Sequence, residues 1–282
     1  MLDSNFSGRL GEEAAQGVGT VGRIDSAALA RGLGAVAKNR VVSLARPGAS
    51  GRSARGDMLP ALSIERFEET KGEFLIRTEH LQIDCHGTLN THIDALNHIV
   101  GTDGDPSERD SVASWARTGI VTRGFLADIP RHRGQDWVDV TEPVSGDELE
   151  LVMGTSSVPF LRGDALFVYM GRNRYEDAGN VYLGSAETES RPGLSRSGGE
   201  WACDHGASVL GWDFLDSKSE AEQQLGVHRL INERGLVLID NCDLSVAALV
   251  AQELGKVDGL LVVAPLRIQG LSGSIVNPLM VF

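Results

Sequence analysis

GLVLIDNCDLSVAALVAQELGKVDGLLVVAPL, residues 235 to 266, decides the fold class. Both ends, Gly235 to Asp240 and Gly259 to Leu266, are continuous apolar runs, the pattern of strands covered on both faces. The helical patch from Leu244 to Gly255 separates them, and strands alternating with helices argue α/β architecture. Outward from there, residues 119–129 (GIVTRGFLADI) and 163–171 (GDALFVYMG) are further apolar strands. Between them, SGDELELVMG at 145–154 reads as a helix capped by Ser145, with Asp147 and Glu148 in its first turn. Residues 198–206 and 221–235 supply two more helical patches. In the first half, Asp25 and Ser26 can cap a helix over 26–39, RVVSLARPG at 40–48 is a strand closed by Pro47-Gly48, and Phe74–Ile76 and Leu81–Ile83 have strand character. Extra hairpin-like β structure is therefore expected in that half. With no internal repeat and no low-complexity linker, residues 1–282 read as one domain, with 1–22 as an extended arm and polar loops at 46–57 and 183–199.

Composition removes several functions. The chain has 282 residues, 26 basic against 39 acidic, for a net charge of -13. That sign repels a phosphate backbone, and no Lys/Arg stripe overrides it, so nucleic-acid binding is not expected. No apolar run is long enough for a membrane span or a signal peptide, which predicts a soluble cytoplasmic protein with no membrane partner. Cys85, Cys203 and Cys242 are odd in number and widely spaced, the pattern of reduced thiols rather than of a disulfide framework or a thiolate zinc site. Gly32-Leu33-Gly34-Ala35-Val36-Ala37 fits a loose dinucleotide pattern but lies inside a helical pattern with no strand before it, so helix packing explains it better. Nucleophile-elbow and phosphate-loop patterns are absent. The 34 glycines imply many sharp turns.

The chemistry concentrates in thirteen residues. His86, His92, Asp94 and His98 stand in the order H-x5-H-x-D-x3-H. On an extended strand His92 and Asp94 share a face, and on a helical turn Asp94 and His98 do. A change from strand to helix near Ile93 to Ala95 would bring all three to one point. Imidazoles with a carboxylate suit zinc, manganese or ferrous iron, and leave positions for water and substrate.

Thr91-His92-Ile93-Asp94-Ala95-Leu96-Asn97-His98 resembles the core signature of the cyclase family that includes bacterial kynurenine formamidase and isatin hydrolase. RVVSLAR at 40–46, Arg123-Gly124, Gly163-Asp164-Ala165, Gly171-Arg172, His228, Ile239-Asp240-Asn241 and the terminal APLRIQGLSGSIVNPLMVF resemble that family's landmarks in its order. The resemblance implies a swivelling β/β/α fold, with a mixed sheet or barrel-like β core flanked by helices. It also implies one or two divalent ions, zinc or manganese, a small-molecule substrate and a homo-oligomer, dimer or tetramer.

Carried over by residue, His92 and Asp94 match metal ligands, and His98 is a ligand or general base. His228 joins from the second half, and Asp240 stands where many members have glutamate. The family's first ligand histidine falls on Thr88, and the nearest candidate is His86, as ligand or as proton carrier with His98. Arg267 is a candidate partner for a substrate carboxylate. A bound ion would polarise a carbonyl and acidify water, so hydrolysis of an amide, N-formyl or lactam bond is the expected reaction. A cyclase or lyase acting on a polyketide-like carbonyl compound and a non-catalytic metal-binding protein are the alternatives.

Overall fold

The apolar runs that read as buried strands lie in one sheet. The computed structural model describes residues 18–48, 62–101, 111–182, 190–218 and 225–282. In chain order the strands are β1 (Val41–Ser43), β2 (Leu62–Lys71), β3 (Phe74–Ile83), β4 (His92–Asp94), β5 (Ile120–Asp128), β6 (Ala165–Tyr169), β7 (Leu210–Trp212), β8 (Leu238–Asp240), β9 (Asp258–Val263), β10 (Gly273–Ile275) and β11 (Leu279–Val281). Nine of them form a mixed, strongly curled sheet in the order β1-β11-β9-β5-β6-β7-β8-β4-β10, a half-barrel flanked by helices. The run β5-β6-β7-β8 is parallel, and the strands on either side join it antiparallel. β8 and β9, the two strands that decide the class from sequence, are thus separated in the sheet by β5, β6 and β7.

The helices are α1 (Ser26–Ala35), α2 (Ala113–Ala116), α3 (Ile129–Arg133), α4 (Gly146–Gly154), α5 (Arg172–Asp177), α6 (Arg196–Asp204), α7 (Arg229–Arg234) and α8 (Ser245–Leu254). The Asp25 carboxylate accepts from Ala28 N at 2.8 Å and Ser145 Oγ from Glu148 N at 3.2 Å, satisfying donors that each helix start leaves open. α1 lies against β5 so closely that a Cβ on Gly32 would stand 2.7 Å from the Thr122 carbonyl carbon. The glycine pattern at 32–37 is therefore a packing device. Phe125, Phe167, Trp212 and Phe214 are fully enclosed and fill the space around the sheet.

Three expectations shift. Of the proposed arm, residues 1–17 lie outside the described residues, as do 49–57 and 183–189 of the polar loops. Residues 19–23 form a 3-10 turn that is pinned down: Thr20 N donates to Gly235 O and Thr20 Oγ1 to Ser208 O, both at 2.8 Å. The helical patch at 221–235 is helical over Arg229–Arg234, and 221–224 lie outside the described residues. The two strand fragments at 74–83 are one ten-residue strand, paired along its length with β2 in a hairpin outside the main sheet.

Candidate metal centre

Register builds the centre. β4 is only three residues long, and it places His92 and Asp94 on one face. β8 pairs with it so that His92 faces Asp240, and β10 so that Asp94 faces Gly273. Directly opposed residues of an antiparallel pair have Cβ atoms about 4.5–5.5 Å apart, so the ladder alone brings His92 and Asp240 together. His228 enters from the turn before α7. His98 enters from a turn closed by His98 N donating to Ala95 O at 3.0 Å, not from the helix expected after Asp94. His86 lies over Gly273, where a Cβ would come within 2.4 Å of its Cε1.

Asp94 is the hub. It is completely buried, and its Oδ1 lies 3.0 Å from His86 Nδ1 and 3.4 Å from His92 Nε2. Its Oδ2 lies 3.7 Å from His228 Nε2 and 3.8 Å from His98 Nε2 and has no hydrogen-bond partner. A buried carboxylate oxygen without a donor is costly, and here it is surrounded by ring nitrogens and a second carboxylate. His92 Nδ1 donates to the Asn90 carbonyl at 2.9 Å, which leaves Nε2 as the lone-pair atom, 3.8 Å from Asp240 Oδ2. Asp240 Oδ2 is 3.1 Å from His228 Nε2, and its other oxygen accepts from Trp212 Nε1 at 2.6 Å. Two donor sets result, His86-His92-Asp94 and Asp94-His228-Asp240, each with ligand atoms within 4.8 Å of one another and sharing Asp94. Nitrogen and carboxylate donors with an orphaned oxygen between them fit a divalent cation.

The electrostatics follow burial and pairing. Burial alone would raise Asp216 and Asp240, but the adjacent His228 imidazole holds both carboxyls below the usual carboxylate range. Burial pulls His228 down, but Asp216 and Asp240 outweigh it and hold that imidazole well above its ordinary value. Burial lowers His98. His98 and His86 stack face to face, ring centres 3.8 Å apart, and are the partly exposed members of the cluster.

All six residues singled out as ligands or proton carriers, His86, His92, Asp94, His98, His228 and Asp240, thus meet in one place. His98 belongs to neither donor set and lies at the rim. Thr88, where the family signature has a histidine, turns its carbonyl to Arg172 Nη2 at 2.9 Å, while His86 occupies the space beside Asp94. Arg267 is not among them. It is exposed and lines a separate surface cleft with Ala113, Ser114, Arg117, Ile268 and Gln269. Three residues that the sequence does not single out complete the surroundings: Asp216 on His228, Trp212 on Asp240, and Ser272, whose Oγ is 3.0 Å from His86 Nε2. Only Ser272 left a sequence signal, inside the Gly-Leu-Ser-Gly-Ser loop at 270–274.

The curled mixed sheet carries at one end a buried His/Asp cluster able to bind a metal ion. The chain belongs to the cyclase family: the model for that family, described as "Putative cyclase", matches residues 38–217, more than half of the sequence. Among solved structures it is similar to a cyclase crystal structure at 19% identity and a TM-score of 0.77, covering 94% of both chains. It is also similar to isatin hydrolase A from Ralstonia solanacearum, at 18% identity and a TM-score of 0.61, over 90% of this chain and 95% of that one. A third is a Bacillus stearothermophilus structure described as a "predicted metal-dependent hydrolase", at 17% identity and a TM-score of 0.55, over 86% of this chain and 97% of that one. These likenesses are of fold. No curated protein matches the chain. No helix among the described residues is long and apolar enough to cross a membrane.

Proposed function

We propose that the chain is a metal-dependent hydrolase that opens an amide, N-formyl or lactam bond in a small molecule. The observation that carries this reading is buried Asp94, shared between two nitrogen-and-carboxylate donor sets and left with its Oδ2 without a hydrogen-bond partner. His86, His92, Asp94, His228 and Asp240 would hold one or two zinc or manganese ions. Such an ion supplies Lewis-acid polarisation of a carbonyl and acidifies water.

The protein's own groups do the rest. The Asn90 carbonyl and the Trp212 indole fix His92 and Asp240. His98, partly open to solvent and outside both donor sets, is the imidazole placed to take a proton from water and return it to nitrogen. The water oxygen bonds to the carbonyl carbon, the C–N bond breaks, and the relayed proton leaves with the amine. The structures of an isatin hydrolase and of a metal-dependent hydrolase among the similar folds support the hydrolytic reading.

The test combines metal analysis with a panel of N-formyl, acyl-amide and lactam compounds, followed by product mass. A metal-loaded protein whose product gains one water is expected, and His92→Ala is expected to lose bound metal and turnover together. Full metal occupancy in His92→Ala would overturn the site assignment. A product of unchanged mass would replace hydrolysis with a cyclase reaction.

A further inference from the structure

We propose that Asp216 is the positioning residue that sets the tautomer of His228 and thereby makes its Nε2 available to a cation. This rests on the metal-centre reading above. Asp216 is 1% exposed, and both its oxygens are committed. Oδ1 accepts from two consecutive backbone groups, Val227 N at 2.6 Å and His228 N at 3.1 Å, and Oδ2 accepts from His228 Nδ1. The backbone of Asp216 is itself anchored: it bridges in parallel with Leu194, and its carbonyl accepts from Arg191 Nε at 2.8 Å.

One side chain therefore pins the turn that carries His228 and keeps a proton on Nδ1, so that the proton given up to a cation comes from Nε2. A carboxylate can only accept, so Nδ1 must donate. Nε2 is left facing Asp240 Oδ2 at 3.1 Å and Asp94 Oδ2 at 3.7 Å. Carboxylates that orient ligating imidazoles in this manner typically contribute 10–100-fold to metal affinity.

The geometry makes asparagine a discriminating substitution. In Asp216→Asn the amide oxygen must face the two backbone N–H groups, because turning the NH2 toward them would oppose donor to donor. The NH2 then faces His228 Nδ1, which must become an acceptor, so the ring keeps its proton on Nε2, toward the donor set. Shape and backbone bonds are kept while the proton on Nδ1 is lost. An Asp216 that acts only through packing and backbone bonds would leave the metal affinity of this variant at the wild-type level.

The experiment measures Zn2+ and Mn2+ affinity by chelator competition in wild type, Asp216→Asn and Asp216→Glu, with 15N imidazole spectra and thermal midpoints of the metal-free proteins. Asp216→Asn is expected to bind about 10–100-fold more weakly and to lose the proton on His228 Nδ1, and Asp216→Glu, which still only accepts, to recover part of the affinity. Asp216→Asn with wild-type affinity would overturn the proposal. Should Asp216→Asn not fold, the spectrum of the zinc-loaded wild type decides alone: a proton on His228 Nδ1 supports the assignment, and an unprotonated Nδ1 overturns it. A wild type that binds no metal would instead refute the metal centre itself.

Discussion

The hairpin β2–β3 and the strand β4 are neighbours in sequence, yet they obey opposite rules. The hairpin has ten-residue strands and almost every side chain in solvent, while β4 has three residues, all buried. The hairpin is made by local pairing, Leu62 with Ile83 through Lys71 with Phe74, and closes on itself. β4 exists because β8 and β10, about 145 and 180 residues further on, take up both of its edges. Strand length thus says little about importance. Burial on both faces and both edges turns a short peptide into a rigid platform for His92 and Asp94, and catalytic constellations tolerate little displacement.

Substitutions can break or sharpen that contrast. Ile93, between His92 and Asp94, is fully enclosed, so Ile93→Ala is expected to cost about 2–5 kcal/mol in a denaturant titration. A cost under about 1 kcal/mol would contradict a rigid platform. Gly273→Ala places a methyl 2.4 Å from His86 Cε1 and 3.0 Å from Ile93 O. It is expected to cost about 1–3 kcal/mol, displace His86 and weaken metal affinity. Unchanged affinity with a shifted His86 would remove His86 from the ligand set and leave it as a proton carrier. Smallest in stability is Phe74→Glu on the hairpin, where the ring is 75% exposed: the thermal midpoint should move by no more than about 0.5 kcal/mol can produce. Phe67, Leu75, Ile76 and Leu81 are also exposed there, and an isolated two-stranded ribbon is marginal in water. Phe74→Glu with Leu81→Glu is therefore expected to shift sedimentation toward monomer at unchanged metal content. An unaltered sedimentation coefficient would place the family's expected self-association elsewhere.

The same contrast explains what could be read beforehand. Strands buried on both faces announce themselves as apolar runs, so β5, β6, β8 and β9 were legible. So was the spacing of His86, His92, Asp94 and His98, because its geometry is local. β2, with SIERFEET exposed on both faces, has no alternation to reveal it. His228 and Asp240 were reachable only through family resemblance. Asp216 and Trp212 left no signal at all, since their roles exist only once β7, β8 and the turn at Val227 are assembled. Arg267 illustrates the converse: proximity in sequence to Ser272 does not bring its side chain to the cluster.

The lone oxygen of Asp94 has one more consequence, in the heat resistance of the molecule. A cation that binds the folded chain and not the unfolded one stabilises it by RT ln(1 + [L]/Kd), about 2.7 kcal/mol at a hundredfold excess over Kd. Once ligated, that oxygen would change from a cost of folding into a gain. Melting temperature should then track the free metal concentration of the medium, so that a chelator lowers the temperature at which the fold itself is lost.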